Sequence, residues 1–375
     1  MRAVPATPNA LRFPSAEDVA ELAMAHHPLS LSVLMATSPA LRMSRADRSQ
    51  LAALARDAHR RLEQEPDRRA AATVRAGLAA AIARAVDGPT DRGLAILVSP
   101  DGAHLHHLRV TPQDRVVLDP SFATRDLVRS TSEDPPFLLL AIDGRAARLF
   151  HYDQRYSRPI LGHDFPMLRP EPISRERLSG GSLDRARREQ QRTFLRMVDA
   201  RLAARLAEHP LPVVLVASDR TAAEFVAIGR GRRVAAVVRS GATHQPLFEL
   251  EELGRAALAE HVSDHVAAAM DAAMVRLRQG RAVSGLADSW QAMLHGEPEL
   301  VLVERSYAAA VQVTDEGFAP ADDPEAPGVL DDAVDELIEA ALGRGAQVVA
   351  VPDGALARQG RIVLVMRGRV PTPLG

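Results

Sequence analysis

The sequence predicts an α/β chain of three domains, and three observations carry that reading. Its 375 residues accommodate two or three domains at about 150 residues each. Apolar runs of strand length alternate with longer stretches of helical periodicity, as in sheets covered by helices. A strand-turn-strand pattern also recurs, at 93–110, 136–152 and 299–313. The expected division is an N-terminal α/β domain over 1–132, a middle mixed-sheet domain over 133–280 and a C-terminal α/β sandwich over 281–375.

Taking the elements in order, Leu29 to Ala36 is an apolar run of strand length. Leu51, Leu54, Ala55, Ala58 and Leu62 then fall on one helical stripe, and Leu78, Ile82 and Val86 on a second. Gly93 to Val98 and His104 to Val110 flank Pro100-Asp101-Gly102, while Pro136 to Ile142 and Arg145 to Tyr152 flank Asp143-Gly144. Aspartate-glycine between apolar runs signals a hairpin, because the favoured turn needs positive φ at its central residues. Asp101 and Asp143 are therefore turn residues before they are catalytic candidates. The polar Ser130 to Pro136, with its double proline, reads as a linker. A helix from about Leu183 to Glu208 follows, then a strand at Val213 to Ala217, a helix at Asp219 to Ile228, a strand at Arg233 to Arg239 and a helix from about Glu249 to Arg278. The last domain reads as a helix at Gly285 to Leu294, a third hairpin (Glu299 to Val303, then Tyr307 to Val313), a helix at Asp331 to Leu342, and strands at Gln347 to Val351 and Ile362 to Arg367.

Composition removes much chemistry. The chain has no cysteine, and its 46 Lys+Arg residues are all arginine. Thiolate metal sites, cysteine nucleophiles, Walker-type phosphate loops and Schiff-base lysines are thereby excluded. No stretch approaches the roughly 18 apolar residues of a membrane span, and the first residues lack an apolar leader, so a cytoplasmic location away from membranes is expected. With a formal net charge of −2, any nucleic-acid contact must come from a local patch.

Such a patch lies between Arg175 and Arg205, where nine arginines face four acids. Arg185, Arg188 and Arg192 share one face of a helix, and guanidinium forks suit phosphate oxygens. The same pattern also suits a solvated helix whose buried side carries Phe194, Val198 and Leu202. Gly180-Gly181 precede that helix, and a glycine loop ending at a helix N-terminus suits an anion. Ser182 could equally cap the helix. His261 and His265 share a helical face in a pattern like H-x-x-E-H with aspartate as the base, but no third ligand stands nearby. On the hairpin strand, His104, His106 and His107 read as an exposed face. Between Glu297 and Glu339 thirteen acids accompany one arginine, which predicts a strongly negative side suited to a basic protein. No cofactor, metal centre or catalytic residue is assigned.

The run Ser179-Gly180-Gly181-Ser182-Leu183-Asp184-Arg185-Ala186-Arg187-Arg188-Glu189-Gln190, preceded by the Asp143-Gly144 hairpin, resembles the middle domain of archaeo-eukaryotic class I release factors and their Pelota relatives. In release factors a G-G-Q loop leads into a similarly basic helix. The strand Leu300 to Val303, the helix Asp331 to Leu342 and the strands at Gly345 to Val349 and Gly360 to Leu364 look like their C-terminal domain. Leu29 to Ala36 and Pro136 to Tyr152 are similar to the bacterial branch. The resemblance implies an RNase H-like middle domain and a C-terminal α/β/α sandwich of the kink-turn-binding ribosomal protein type. It also implies a ribosomal A-site ligand, with the middle domain at the peptidyl-transferase centre and the C-terminal domain meeting a translational GTPase.

Gly180 and Gly181 match the two glycines of the release loop, but Ser182 stands where the glutamine would be. A hydroxymethyl group is too short to position the attacking water, and positioning is most of such catalysis. The expectation is a non-hydrolytic, Pelota-like ribosome-binding factor acting in hibernation or rescue, touching RNA through Arg177, Gly180, Gly181, Ser182, Arg185, Arg187, Arg188 and Arg192. The alternatives are a hydrolase, metal-dependent through His261 and His265 or cleaving peptidyl-tRNA, and a stress-related adaptor that uses its acidic face.

Overall fold

The computed structural model describes residues 11–143, 145–153, 156–169, 180–208, 210–229, 233–239, 246–314, 317–321 and 329–370. The chain forms two compact units, one made of Met1–Asp134 with Val266–Gly375 and the other of Pro135–His265.

The N-terminal part of the first unit comprises α1 (Ala16–Met24), β1 (His26–Ala36), α2 (Arg45–Gln64), α3 (Arg68–Asp87), β2 (Gly93–Ser99), β3 (Gly102–Leu108), β4 (Arg115–Ser121) and α4 (Arg125–Ser132). The strands form an antiparallel sheet in the order β3-β2-β1-β4. Side chains alternate across β1. Leu31, Val33 and Met35 meet Leu51, Leu62, Val74 and Leu78 of α2 and α3, whereas Leu34 faces the opposite core with Ala95 and Leu97. The hairpin expected at Asp101-Gly102 is present, and α2 and α3 carry the two expected stripes.

Two expectations need correction in this part. Ser130 belongs to α4 rather than to a linker: it is fully buried, and its hydroxyl accepts a hydrogen bond from the Arg109 amide at 2.8 Å. Nor is the histidine strand exposed. His106 and His107 are buried, because the stretch before α1 lies along β3, where the His107 amide donates to the Arg12 carbonyl at 2.7 Å and the Arg12 amide to His107 Nδ1 at 3.1 Å.

The second unit is built on β5 (Phe137–Ile142), β6 (Ala146–Asp153), β7 (Tyr156–Pro159), β8 (Met167–Leu168), α5 (Gly180–Glu208), β9 (Val213–Ala217), α6 (Asp219–Gly229), β10 (Ala236–Arg239) and the first part of α7 (Leu247–Arg278). Its mixed sheet runs β10-β9-β5-β6-β7, with β8 beside β6. The β5-β9 and β9-β10 pairs are parallel and the rest antiparallel. Asp143 does turn work as expected, its Oδ1 accepting from the amides of Arg145 (2.7 Å) and Ala146 (2.8 Å). On one face Phe194, Leu195, Val198 and Leu202 of α5 and Phe225 of α6 meet Leu138, Leu140, Val213 and Leu215. On the other, Leu250 and Leu258 of α7 meet Phe137, Leu139, Val214 and Val216.

The C-terminal part of the first unit adds the end of α7, β11 (Ala282–Ser284), α8 (Leu286–His295), β12 (Pro298–Glu304), β13 (Val311–Thr314), β14 (Gly317–Pro320), β15 (Val329–Leu330), α9 (Ala333–Gly343), β16 (Gln347–Val351) and β17 (Ile362–Met366). The main sheet runs β11-β17-β12-β16, with α7 residues Met270, Ala273 and Leu277 on one face and α8 and α9 on the other. It is an α/β/α sandwich. The third expected hairpin is absent. β12 pairs with β16 and β17, while β13 joins β14 and β15 in a separate small sheet. Apolar length around Arg305-Ser306 was present, but no aspartate-glycine turn specified the pairing.

Part of the acidic run departs from the solvated face its charge predicted, while its members Asp315, Glu316, Asp322, Asp323 and Glu325 lie outside the described residues. Asp332 and Asp335 are buried against the N-terminal part of the same unit. Arg115 and Arg125 bind Asp332 Oδ2 at 2.9 and 3.1 Å, Arg115 reaches Asp335 at 3.1 Å, and Arg61 reaches Asp331 at 2.5 Å. Asp119 accepts from the backbone amides of Asp331 (2.9 Å) and Asp332 (3.2 Å). Burial, then the neighbouring Asp331 charge, pushes the Asp119 carboxyl up to about 7. Glu304 and Glu339 are buried as well. Sequence counts charges, and only the fold reveals that the matching arginines lie more than two hundred residues earlier.

Candidate nucleic-acid interface

Helix α5 divides into two parts. From Phe194 onward its apolar residues are buried on the sheet, whereas no residue from Asp184 to Thr193 is buried. This N-terminal part stands clear of the core. Arg185, Arg187, Arg188 and Arg192 are all exposed along it. At 3.6 residues per turn, Arg185, Arg188 and Arg192 span an arc of about 60° and a length of about 10 Å.

Ion pairing separates these arginines from their neighbours. Further along the helix Arg196 pairs with Glu189 at 3.2 Å, Arg201 with Asp164, Arg205 with Glu208 at 3.6 Å, and Asp199 is held by Arg233 at 2.7 Å. Arg185, Arg188 and Arg192 have no carboxylate within ion-pair distance among the described residues. Three adjacent guanidinium groups thus keep their fork of donors for an external acceptor, and an array of planar donors at helical spacing fits phosphate oxygens.

Gly180 and Gly181 are the first two residues of α5 itself, and Ser182 lies within its first turn. The amides of a first helical turn have no partner within the helix, and the helix dipole adds positive potential there. The diglycine therefore sits at the cationic end of the helix that carries the arginines. Arg177 lies outside the described residues.

The other histidine candidates separate clearly from this face. His261 and His265 are exposed on α7, and neither belongs to a metal-competent cluster among the described residues. His106 is buried, with neither ring nitrogen hydrogen-bonded among the described residues, and burial, followed by the charge of Arg12, pulls its pKa down to about 4. It is a neutral packing residue. No helix among the described residues is long and apolar enough to cross a membrane.

Comparison with known proteins gives the same middle segment a family. Residues 136–297 match the family model for bacterial archaeo-eukaryotic release factor family 3. No curated protein matches the chain. Among solved structures the chain is similar to archaeal Pelota in a model of ribosome-bound Pelota and ABCE1, with 12% identity over 99% of this chain and 100% of that one and a TM-score of 0.45. It is similar to Dom34 of S. cerevisiae, a translation termination-like factor, with 10% identity over 76% and 75% and a TM-score of 0.43. The archaeal translation termination factor aRF1 is 18% identical over 95% and 99%, with a TM-score of 0.25. Residues 136–297, which hold the diglycine and the arginine face, are thus similar to bacterial archaeo-eukaryotic release factor family 3.

Proposed function

We propose that this protein is a non-hydrolytic ribosome-binding factor that occupies the A site of idle or stalled ribosomes, in hibernation or rescue. The observation that carries the reading is the exposed Arg185, Arg188 and Arg192 face, which has no carboxylate partner among the described residues, on a helix that opens with Gly180-Gly181. Arg177 and Arg187 extend the basic surface in sequence, and Gly180, Gly181 and Ser182 bring backbone amides close to RNA phosphate. Because Ser182 replaces the glutamine of the release loop, the factor binds without placing a water on the peptidyl ester. The C-terminal sandwich is the part that meets a translational GTPase. In the adaptor alternative the partner would have to be met by other acids of the run, since Asp331, Asp332 and Asp335 are engaged by arginines of the same unit.

Changing Arg185, Arg188 and Arg192 together to glutamate tests the reading by co-sedimentation with 70S ribosomes. The wild-type protein is expected to pellet with ribosomes and the variant to remain in the supernatant with an unchanged circular dichroism spectrum. Neither is expected to release peptide from peptidyl-tRNA in the A-site assay. Equal pelleting of the two proteins, or release by the wild type, would overturn the proposal.

A further inference from the structure

His26 opens β1 and lies directly across from Ser121 of β4 in the sheet register. The Ser121 hydroxyl donates to Glu336 Oε1 at 2.5 Å, which brings helix α9 to the same point. Glu336 and Glu339 are three residues apart and therefore share one face of that helix. One ligand atom from each of His26, Glu336 and Glu339 lies within 4.8 Å of the other two.

Glu339 makes this more than a chance meeting of acids. It is only 2% exposed, and neither of its carboxylate oxygens has a hydrogen-bond partner among the described residues. Burying a carboxylate without donors is costly, and native structures almost always compensate it with a donor or a cation. The only basic group in the cluster is the imidazole. His26 Nδ1 lies 3.2 Å from the Met24 carbonyl. A carbonyl only accepts, so in the neutral ring Nδ1 carries the proton and Nε2 keeps its lone pair, the tautomer in which a backbone carbonyl orients a metal-binding histidine.

We propose that His26, Glu336 and Glu339 form a zinc-binding site that fastens the start of β1 to helix α9. One imidazole and two carboxylates suit zinc better than magnesium or calcium, which favour all-oxygen shells. Small side-chain rotations reduce the present spread to the about 3.4 Å between neighbouring donors of a tetrahedral ion. With His26 exposed at the rim, a fourth position opens to water.

The test uses the full-length protein stripped with EDTA, titrated with zinc chloride or magnesium chloride by calorimetry and by thermal melting. Zinc is expected to bind at one tight site and to raise Tm, whereas magnesium does neither. Glu339→Gln and His26→Ala are each expected to weaken that site at least tenfold and to abolish the Tm rise. Because thirteen histidines can bind zinc loosely, the comparison with the variants decides. Equal zinc affinity in wild type and His26→Ala, or no tight site in the wild type because Glu336 and Glu339 share a proton instead, would overturn the proposal. The exposed His26 keeps the test valid even if Glu339→Gln fails to fold.

Discussion

His106 illustrates how a single side chain makes the first unit sensitive to acid. It is 1% exposed, stacks on His104 with ring centroids 6.5 Å apart, and makes no hydrogen bond through either ring nitrogen among the described residues. Burial holds the folded-state pKa near 4, below the ordinary 6.5. Between those values the unfolded chain binds the proton and the folded chain does not, so stability falls as pH drops below 6.5. At pH 5 the loss is about 2 kcal/mol. His106→Leu removes the titration and leaves no partner orphaned. The variant is therefore expected to lose less Tm than the wild type between pH 7 and pH 5 in calorimetry, and equal losses would contradict this assignment. Sequence placed His106 on an exposed strand face, because nothing in β3 itself signals that the stretch around Arg12 lies over it.

At the scale of elements, legibility followed local information. The strands Val213–Ala217 and Gln347–Val351 and helices α2, α3, α5 and α7 stand where apolar periodicity put them, because each buries a continuous apolar face. The misread pieces are those whose burial is polar. Helix α4 (Arg125–Ser132) buries Arg125, Asp126 and Arg129 as well as Leu127, so its stripe is charged and gave no apolar signal. The third hairpin failed for a related reason: two adjacent apolar strands, β12 and β13, took partners that lie far away in the chain. Helix α7 carries the close approach that periodicity missed. A Cβ added at Gly254 would sit 3.0 Å from Leu139 Cδ1 and 3.1 Å from Phe137 Cε2, so glycine here lets the helix lie against β5. Gly254→Leu is expected to destabilise the second unit by about 1–3 kcal/mol through overpacking, despite leucine's better helix propensity. Urea denaturation followed by tryptophan-independent circular dichroism measures it, and an unchanged or higher midpoint would contradict the packing described.

Over the whole molecule, the candidate site was legible because its signal is local. Nine arginines within one loop and helix, and a diglycine at the helix start, are visible without any tertiary knowledge. What sequence could not tell was which arginines remain unpaired: Arg201 finds Asp164, 37 residues earlier, while Arg185, Arg188 and Arg192 find no such acid among the described residues. The cluster of His26 with Glu336 and Glu339 was invisible for the opposite reason, since its members are separated by some three hundred residues and meet only when α9 reaches the edge of β1 and β4. The central claim is that a compact arginine array grips ribosomal phosphate. Its most direct measurement is the affinity for 70S ribosomes over a series of potassium chloride concentrations. Log affinity of the wild type should fall steeply and linearly with log salt, and the triple glutamine variant at Arg185, Arg188 and Arg192 should bind more weakly with a slope shallower by about three. Identical slopes for the two proteins would mean that these arginines do not touch the ribosome.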